Sequence, residues 1–394
     1  MRPAARTQAA IELLDEIIAA ARDAGPAADK IIARYFKDRR YAGSKDRRFI
    51  RDLVYRAIRR SGDRPESGRQ ALLGLAEEHD DILTLFDASP HGPATITVGE
   101  KGAEQSAAPG WLAGRFDPLV DDAELAALLA RAPLDLRVNR LKGGRPEALA
   151  AFPEAVTTSL SPLGLRLPEG SPIEDSEAWR SGLVEVQDEG SQLLSLACGA
   201  APGNLVVDLC AGAGGKTLAL AAEMENQGRI LASDVDRSRL SRLPVRLERA
   251  GVKIVEARLF DPGREREASA DLVGQADLVL IDAPCSGTGT WRRNPETRWR
   301  LTPDRLQRLV ALQARLLDLA TDLVRPGGYL VYAVCSVLDE EGRGQAEAFS
   351  CRRSSWVSGP VPIAGGRGAG PGRLLTPGHD GTDGFFVARW QAPC

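Results

Sequence analysis

The chain has 394 residues, 43% hydrophobic and 27% charged, with a formal net charge of −3 and a pI near 5.9. That composition fits a water-soluble globular protein of two or three domains. No apolar run approaches the roughly 18 residues that cross a bilayer, which argues against a membrane partner. Six cysteines without a CxxC pair argue against both a zinc cage and a disulfide framework.

The first stretch, Met1–Thr7, leads into a charged helical pattern and not a secretory apolar region, which predicts a cytoplasmic protein. Residues 8–24 repeat apolar positions at helical spacing (Ile11, Leu14, Ile17, Ile18, Ala21), and Gly25-Pro26 ends that helix. Lys30–Tyr41 and Asp46–Arg59 read as two further amphipathic helices, the second capped by Ser44. Residues 69–88 read as another helix and 92–108 as a loose connection. The first 130 residues therefore read as a mainly helical domain. The mild net charge hides an asymmetry. From Lys30 to Arg60 there are twelve Lys or Arg against Asp38, Asp46 and Asp52, and from Ser286 to Arg308 six Arg against Glu296 and Asp304. Local basic patches of this kind are the electrostatic footprint of phosphate binding, although a solvated helix face can look the same.

At Leu134–Asn139 the pattern switches to alternation, and residues 131–184 read as a small α+β module. From about Gly203 the order is β-α-β-α-β-β-α-β, with strands Leu205–Leu209, Arg229–Ser233, Ile254–Phe260, Leu278–Ile281 and Tyr329–Val334. That is a doubly wound α/β domain, spanning 185–394, whose right-handed connections set the strand carboxyl ends along one edge.

The chemistry-bearing residues sit at those ends. The first strand runs into Cys210-Ala211-Gly212-Ala213-Gly214-Gly215-Lys216-Thr217. A glycine-rich turn there lets a ligand approach backbone N–H groups. A Walker A loop would need glycine at Cys210, and GxGxxG would need glycine at Thr217, so nucleoside-triphosphate and dinucleotide chemistry are disfavoured. A nucleoside-type turn without a pyrophosphate, as in S-adenosylmethionine enzymes, remains. Asp234, ending the second strand, is placed to accept from ribose hydroxyls, and Asp261, after the third, to contact an adenine amino group. The fourth strand ends in Asp282-Ala283-Pro284-Cys285-Ser286-Gly287-Thr288-Gly289, the fifth in Val334-Cys335-Ser336. A thiolate can add to C6 of a pyrimidine and make C5 nucleophilic, while a carboxyl group such as Asp282 can stabilise charge developing in the ring. Two buried core thiols are the alternative. Cys198, Cys351 and Cys394 are expected to be inert core residues.

These segments resemble the signature motifs of the Nol/Nop/Sun RNA cytosine-5 methyltransferases, in particular the bacterial Sun/Fmu branch that modifies small-subunit ribosomal RNA. The likeness is strong over residues 185–340 and continues to the closing strand at Asp383–Arg389. It implies a Rossmann-like methyltransferase domain preceded by a helical NusB-like RNA-binding domain and a small α+β module, acting as a monomer. It further implies that Cys335 is the covalent nucleophile, that Cys285 assists breakdown of the adduct, and that Asp282 contacts the cytosine and borders the cofactor. The turn from Cys210 to Lys216, with Asp234 and Asp261, would hold S-adenosylmethionine. Arg292, Arg293 and Trp299 would grip phosphates and stack a base. Two departures stand out: Gly212-Ala213 replaces the family's Ala-Pro, and Val334 replaces a threonine. The expected activity is methylation of cytosine C5 in small-subunit ribosomal RNA. A transfer-RNA methyltransferase of the same chemistry, or a catalytically weak ribosome assembly factor, are the alternatives.

Overall fold

The computed structural model describes residues 1–23, 25–168 and 170–394. They form two compact units, one of Met1–Arg115, Leu125–Ala130 and Thr290–Arg305, the other of Phe116–Glu124, Arg131–Gly289 and Leu306–Cys394.

The first unit is built on helices Pro3–Arg22, Ala28–Asp38, Ser44–Arg60 and Gly68–Ala76. Their apolar faces share one core, with Leu14, Ile17, Ile32, Leu53, Ile58 and Leu72 fully or almost fully buried. Two local expectations need correction. Gly43, not Ser44, is the N-cap, and no side chain caps that helix, because Ser44 already has helical dihedrals as its first residue. The run 69–88 is not one helix. It breaks after Ala76 and resumes only as a single turn, Asp80–Leu83. Glu77–Asp81 is almost entirely acidic and offers no apolar positions to hold a longer helix to the core. Lys30, Lys37, Lys45, Arg48 and Arg51 are exposed on the second and third helices, and Arg40 is exposed in the turn between them.

The second unit carries two sheets. The small one has β1 (Leu134–Val138), β2 (Val156–Thr157), β3 (Gly164–Leu167) and β4 (Val184–Val186), all antiparallel in the order β2-β3-β1-β4. It has its own apolar cluster around Leu136, Val138, Ala148, Leu165 and Val184.

The large sheet has β5 (Leu205–Asp208), β6 (Arg229–Asp234), β7 (Val255–Leu259), β8 (Ala276–Asp282), β9 (Val324–Val334), β10 (Val357–Ser358), β11 (Arg367–Ala369), β12 (Gly372–Leu375) and β13 (Phe385–Gln391), in the order β11-β12-β13-β9-β8-β5-β6-β7 with β10 on β13. β5 to β9 are parallel and rich in Val, Ile and Leu, as strands covered on both faces must be. β13 then enters antiparallel beside β9, with Phe386 opposite Val334. Among the described residues, no helix is long and apolar enough to cross a membrane.

Candidate active site

The register brings the functional strand ends to one edge. Asp208 lies level with Ala232 and Leu280, Asp234 with Leu259, and Asp282 with Ala333. From β5 the chain moves to β6 and β7 on one side, then crosses to β8 and β9 on the other. That reversal opens a crevice beyond the end of β5, where open α/β sheets bind ligands.

The turn from Leu209 to Gly214 feeds the helix Gly215–Glu223. Gly214 sits at φ +88°, a left-handed conformation that favours glycine, and a Cβ there would press on the tip of the Leu243 side chain. The turn is held from both sides. Gly212 N–H donates to Asp234 Oδ2 at 2.8 Å, and the other oxygen of Asp234 accepts from Asp236 N–H at 2.7 Å. Arg246 donates to the Ala213 carbonyl at 2.8 Å while its other nitrogen pairs with the buried Glu185 at 3.0 Å. Asp208, 1% exposed, accepts from Thr217 Oγ1 at 2.6 Å through Oδ2, and its Oδ1 has no partner. Burial pushes this carboxyl up to about 7, against the Thr217 hydrogen bond. Burial likewise raises the Cys210 thiol well above its usual value. The arrangement fits the nucleoside cofactor that the motifs imply. A Cβ at Gly215 would meet nothing within 4 Å, so the helix start faces open space, with the Asp234 carboxylate beside the turn. Asp261 lies two residues beyond β7 and is exposed.

Lys216 reaches from that helix to Asp282, Nζ to Oδ2 at 2.7 Å. Burial works against the ammonium charge, but the Asp282 carboxylate outweighs it and the Lys216 pKa is raised. The pair joins the glycine turn to the end of β8. Next to it, Cys285 Sγ and Cys335 Sγ, fifty residues apart in sequence, approach to 3.3 Å. The Cys285 thiol is pushed well above its ordinary range, first by that sulfur–sulfur hydrogen bond and then by burial. Gly289 links the Cys285 loop to the end of β9 and to Gly384. Its N–H donates to the Cys335 carbonyl at 3.1 Å, and a Cβ on it would stand 1.9 Å from the Gly384 carbonyl oxygen.

Several expected residues lie elsewhere in the fold or are enclosed by packing. Trp299 is 3% exposed in the helical unit's core, with Nε1–H donated to the Ser61 carbonyl at 2.8 Å. It is a packing residue with no free face on which to stack a base. Arg292 is buried and Arg293 half-buried in the same unit. Cys198 is buried as expected, but Cys351 and Cys394 are exposed: one is on the outward side of helix Arg343–Arg352, the other is the last residue. Asp208, Arg246, Gln313 and Glu341 also belong to this site, although no motif in the sequence marks them. Ser286 and Ser336, which follow the two cysteines, both donate to the Glu341 carboxylate and were the visible signal for it. Glu341 lies in the run Asp339-Glu340-Glu341 and reads as a solvated acid, yet it is fully buried.

Residues 196–391 match the family described as 16S rRNA methyltransferase RsmB/F. The chain is similar to a probable ribosomal RNA small subunit methyltransferase B of Synechocystis sp., 34% identical over 336 residues that cover 80% of this chain and 74% of the relative. It is 39% identical over 297 residues to ribosomal RNA small subunit methyltransferase B of Xylella fastidiosa, covering 73% and 69%. Among solved structures, that of PH0851 matches with a TM-score of 0.77 at 25% identity over 99% of both chains. A methyltransferase homolog protein from Pyrococcus horikoshii matches with a TM-score of 0.60 at 27% identity, covering 68% of this chain and 90% of that one.

Proposed function

The chain belongs to the 16S rRNA methyltransferase family RsmB/F, and from that premise we propose that it methylates C5 of a cytosine in small-subunit ribosomal RNA. At the coarser level it is an S-adenosylmethionine-dependent RNA methyltransferase. The observation that carries the finer reading is the meeting of two thiols from separate strand ends, 3.3 Å apart, beside the Lys216–Asp282 pair.

Cys335, as the thiolate, forms a bond from sulfur to C6 of the cytosine, and the ring's electron pair shifts towards C5. S-adenosylmethionine, when bound, would supply the electrophilic methyl carbon that C5 takes up, the electrons of the broken S–CH3 bond staying on the cofactor sulfur. The C5 proton then leaves to a base, and the C6–S bond breaks with its electrons returning to Cys335. Cys285, next to Cys335, assists that breakdown. Asp282 contacts the cytosine and borders the cofactor, and Lys216 keeps its carboxylate oriented. The turn Cys210–Lys216 with Asp234 and Asp261 holds the cofactor. The target base has to be unpaired or flipped for a thiol to reach C6.

Methyl transfer to small-subunit RNA by Cys335→Ala tests the assignment. The expected result is a fall of about 10⁴-fold or more, as for loss of a covalent nucleophile. Transfer at the wild-type rate would remove Cys335 from the mechanism. Bisulfite sequencing of total RNA with and without the protein then reads whether the modified cytosine lies in ribosomal or transfer RNA.

A further inference from the structure

Glu341 lies six residues beyond Cys335 and is 0% exposed. Its carboxylate gathers four donors. Oε1 accepts from Ser286 N–H at 2.8 Å and from Gln313 Nε2 at 3.0 Å. Oε2 accepts from Ser336 Oγ at 2.6 Å and from Ser286 Oγ. Ser286 directly follows Cys285, and Ser336 directly follows Cys335. The two hydroxyls also contact each other at 3.2 Å, and Thr288 Oγ1 joins Ser336 Oγ at 3.0 Å. Gln313, on the long helix Pro303–Leu323, donates in addition to the Pro284 carbonyl at 2.9 Å. On the far side, the Glu341 carbonyl accepts from Tyr332 Oη at 2.7 Å. One buried carboxylate thus ties together the loops that carry both sulfurs and braces them against a helix.

A buried carboxylate is costly unless every oxygen is well hydrogen-bonded, so a network of this kind is rigid when complete and fails when one member is lost. We infer that Glu341 is a positioning residue for methyl transfer: it holds the Cys285 and Cys335 loops at a fixed spacing, so that one sulfur attacks while the other stays beside it. Its negative charge also adds to the sulfur–sulfur bond, burial and the Cys335 charge in keeping Cys285 protonated. This inference rests on the two-thiol reading above.

The test uses full-length Glu341→Gln and Ser286→Ala with small-subunit RNA. In Glu341→Gln, kcat falls about 100-fold while KM for RNA and for S-adenosylmethionine stays within about two-fold, because displacement of reacting groups costs rate and not binding. Ser286→Ala gives a smaller fall of the same kind, about 10-fold. In parallel, iodoacetamide alkylation of Cys285 in RNA-free enzyme, mapped by mass spectrometry across pH, moves to lower pH in Glu341→Gln. A purely structural role would not shift that profile in a protein that still binds both substrates. Unchanged kcat together with an unchanged alkylation profile overturns the inference. If Glu341→Gln does not fold, kcat of Ser286→Ala decides: a fall of about 10-fold at unchanged KM supports the inference and an unchanged kcat overturns it. The alkylation profile needs no RNA, so it reports on Glu341 even if Cys335→Ala keeps full activity and the two-thiol reading itself falls.

Discussion

At the scale of single residues, sequence order and burial carried different amounts of information. The thiols, Asp282 and Lys216 were legible because each follows an apolar strand in a parallel sheet, and such strand ends converge. Glu341, Asp208 and Trp299 were not. An acid in an acidic run and a tryptophan among arginines look solvent-facing until the packing is known, and only the fold buries Glu341 fully and Trp299 to 3%. Asp208 has a measurable consequence. Its folded pKa of about 7 lies above the unfolded value near 3.9, so the folded state holds the extra proton between those values. Its stabilising contribution is complete below about pH 4 and is lost as pH rises through about 7. Urea denaturation at pH 5 and pH 8 should show wild-type stability falling more steeply than that of Asp208→Asn. Equal slopes would mean that Asp208 is ionised in the fold throughout.

At the scale of elements, the five parallel strands and the closing strand were readable to within a few residues, whereas β10, β11 and β12, the Gly43 cap and the helix break after Ala76 were not. The register of β5 with β6 and β8, and the antiparallel entry of β13 beside β9, are long-range pairings that no local pattern encodes. The glycine turn illustrates the point. Gly212-Ala213 in place of Ala-Pro removes a ring that would stiffen it. The structure supplies the stiffness from outside, through Asp234 on Gly212 and Arg246 on Ala213, with Arg246 anchored on Glu185 of β4. Arg246→Ala should therefore raise KM for S-adenosylmethionine about 10-fold with kcat little changed, the usual size for a lost hydrogen bond from a charged group. Glu185 keeps Arg249 as a partner, so stability should suffer less than cofactor affinity. Steady-state kinetics at varied cofactor concentration checks this, and an unchanged KM would show that the turn holds itself.

At the scale of the whole molecule, the α/β class and the existence of a helical unit followed from periodicity and element order. What the sequence could not show was that Thr290–Arg305, directly after the cysteine motif, packs with the helical unit and hides Trp299 there. That placement is set by apolar burial against helices some 240 residues earlier in the chain. It removes one expected base-stacking contact, while the exposed Lys and Arg of the second and third helices remain as a basic surface within that unit. We propose that Cys335 bonds to cytosine and that Cys285 is needed to undo the bond. The most direct measurement incubates Cys285→Ala with small-subunit RNA and S-adenosylmethionine, resolves the mixture on a denaturing gel, and maps the cross-linked peptide. The expected result is a covalent RNA–protein band whose peptide contains Cys335 and which disappears in the Cys285→Ala/Cys335→Ala double variant. No band, or a band that survives loss of Cys335, would contradict it.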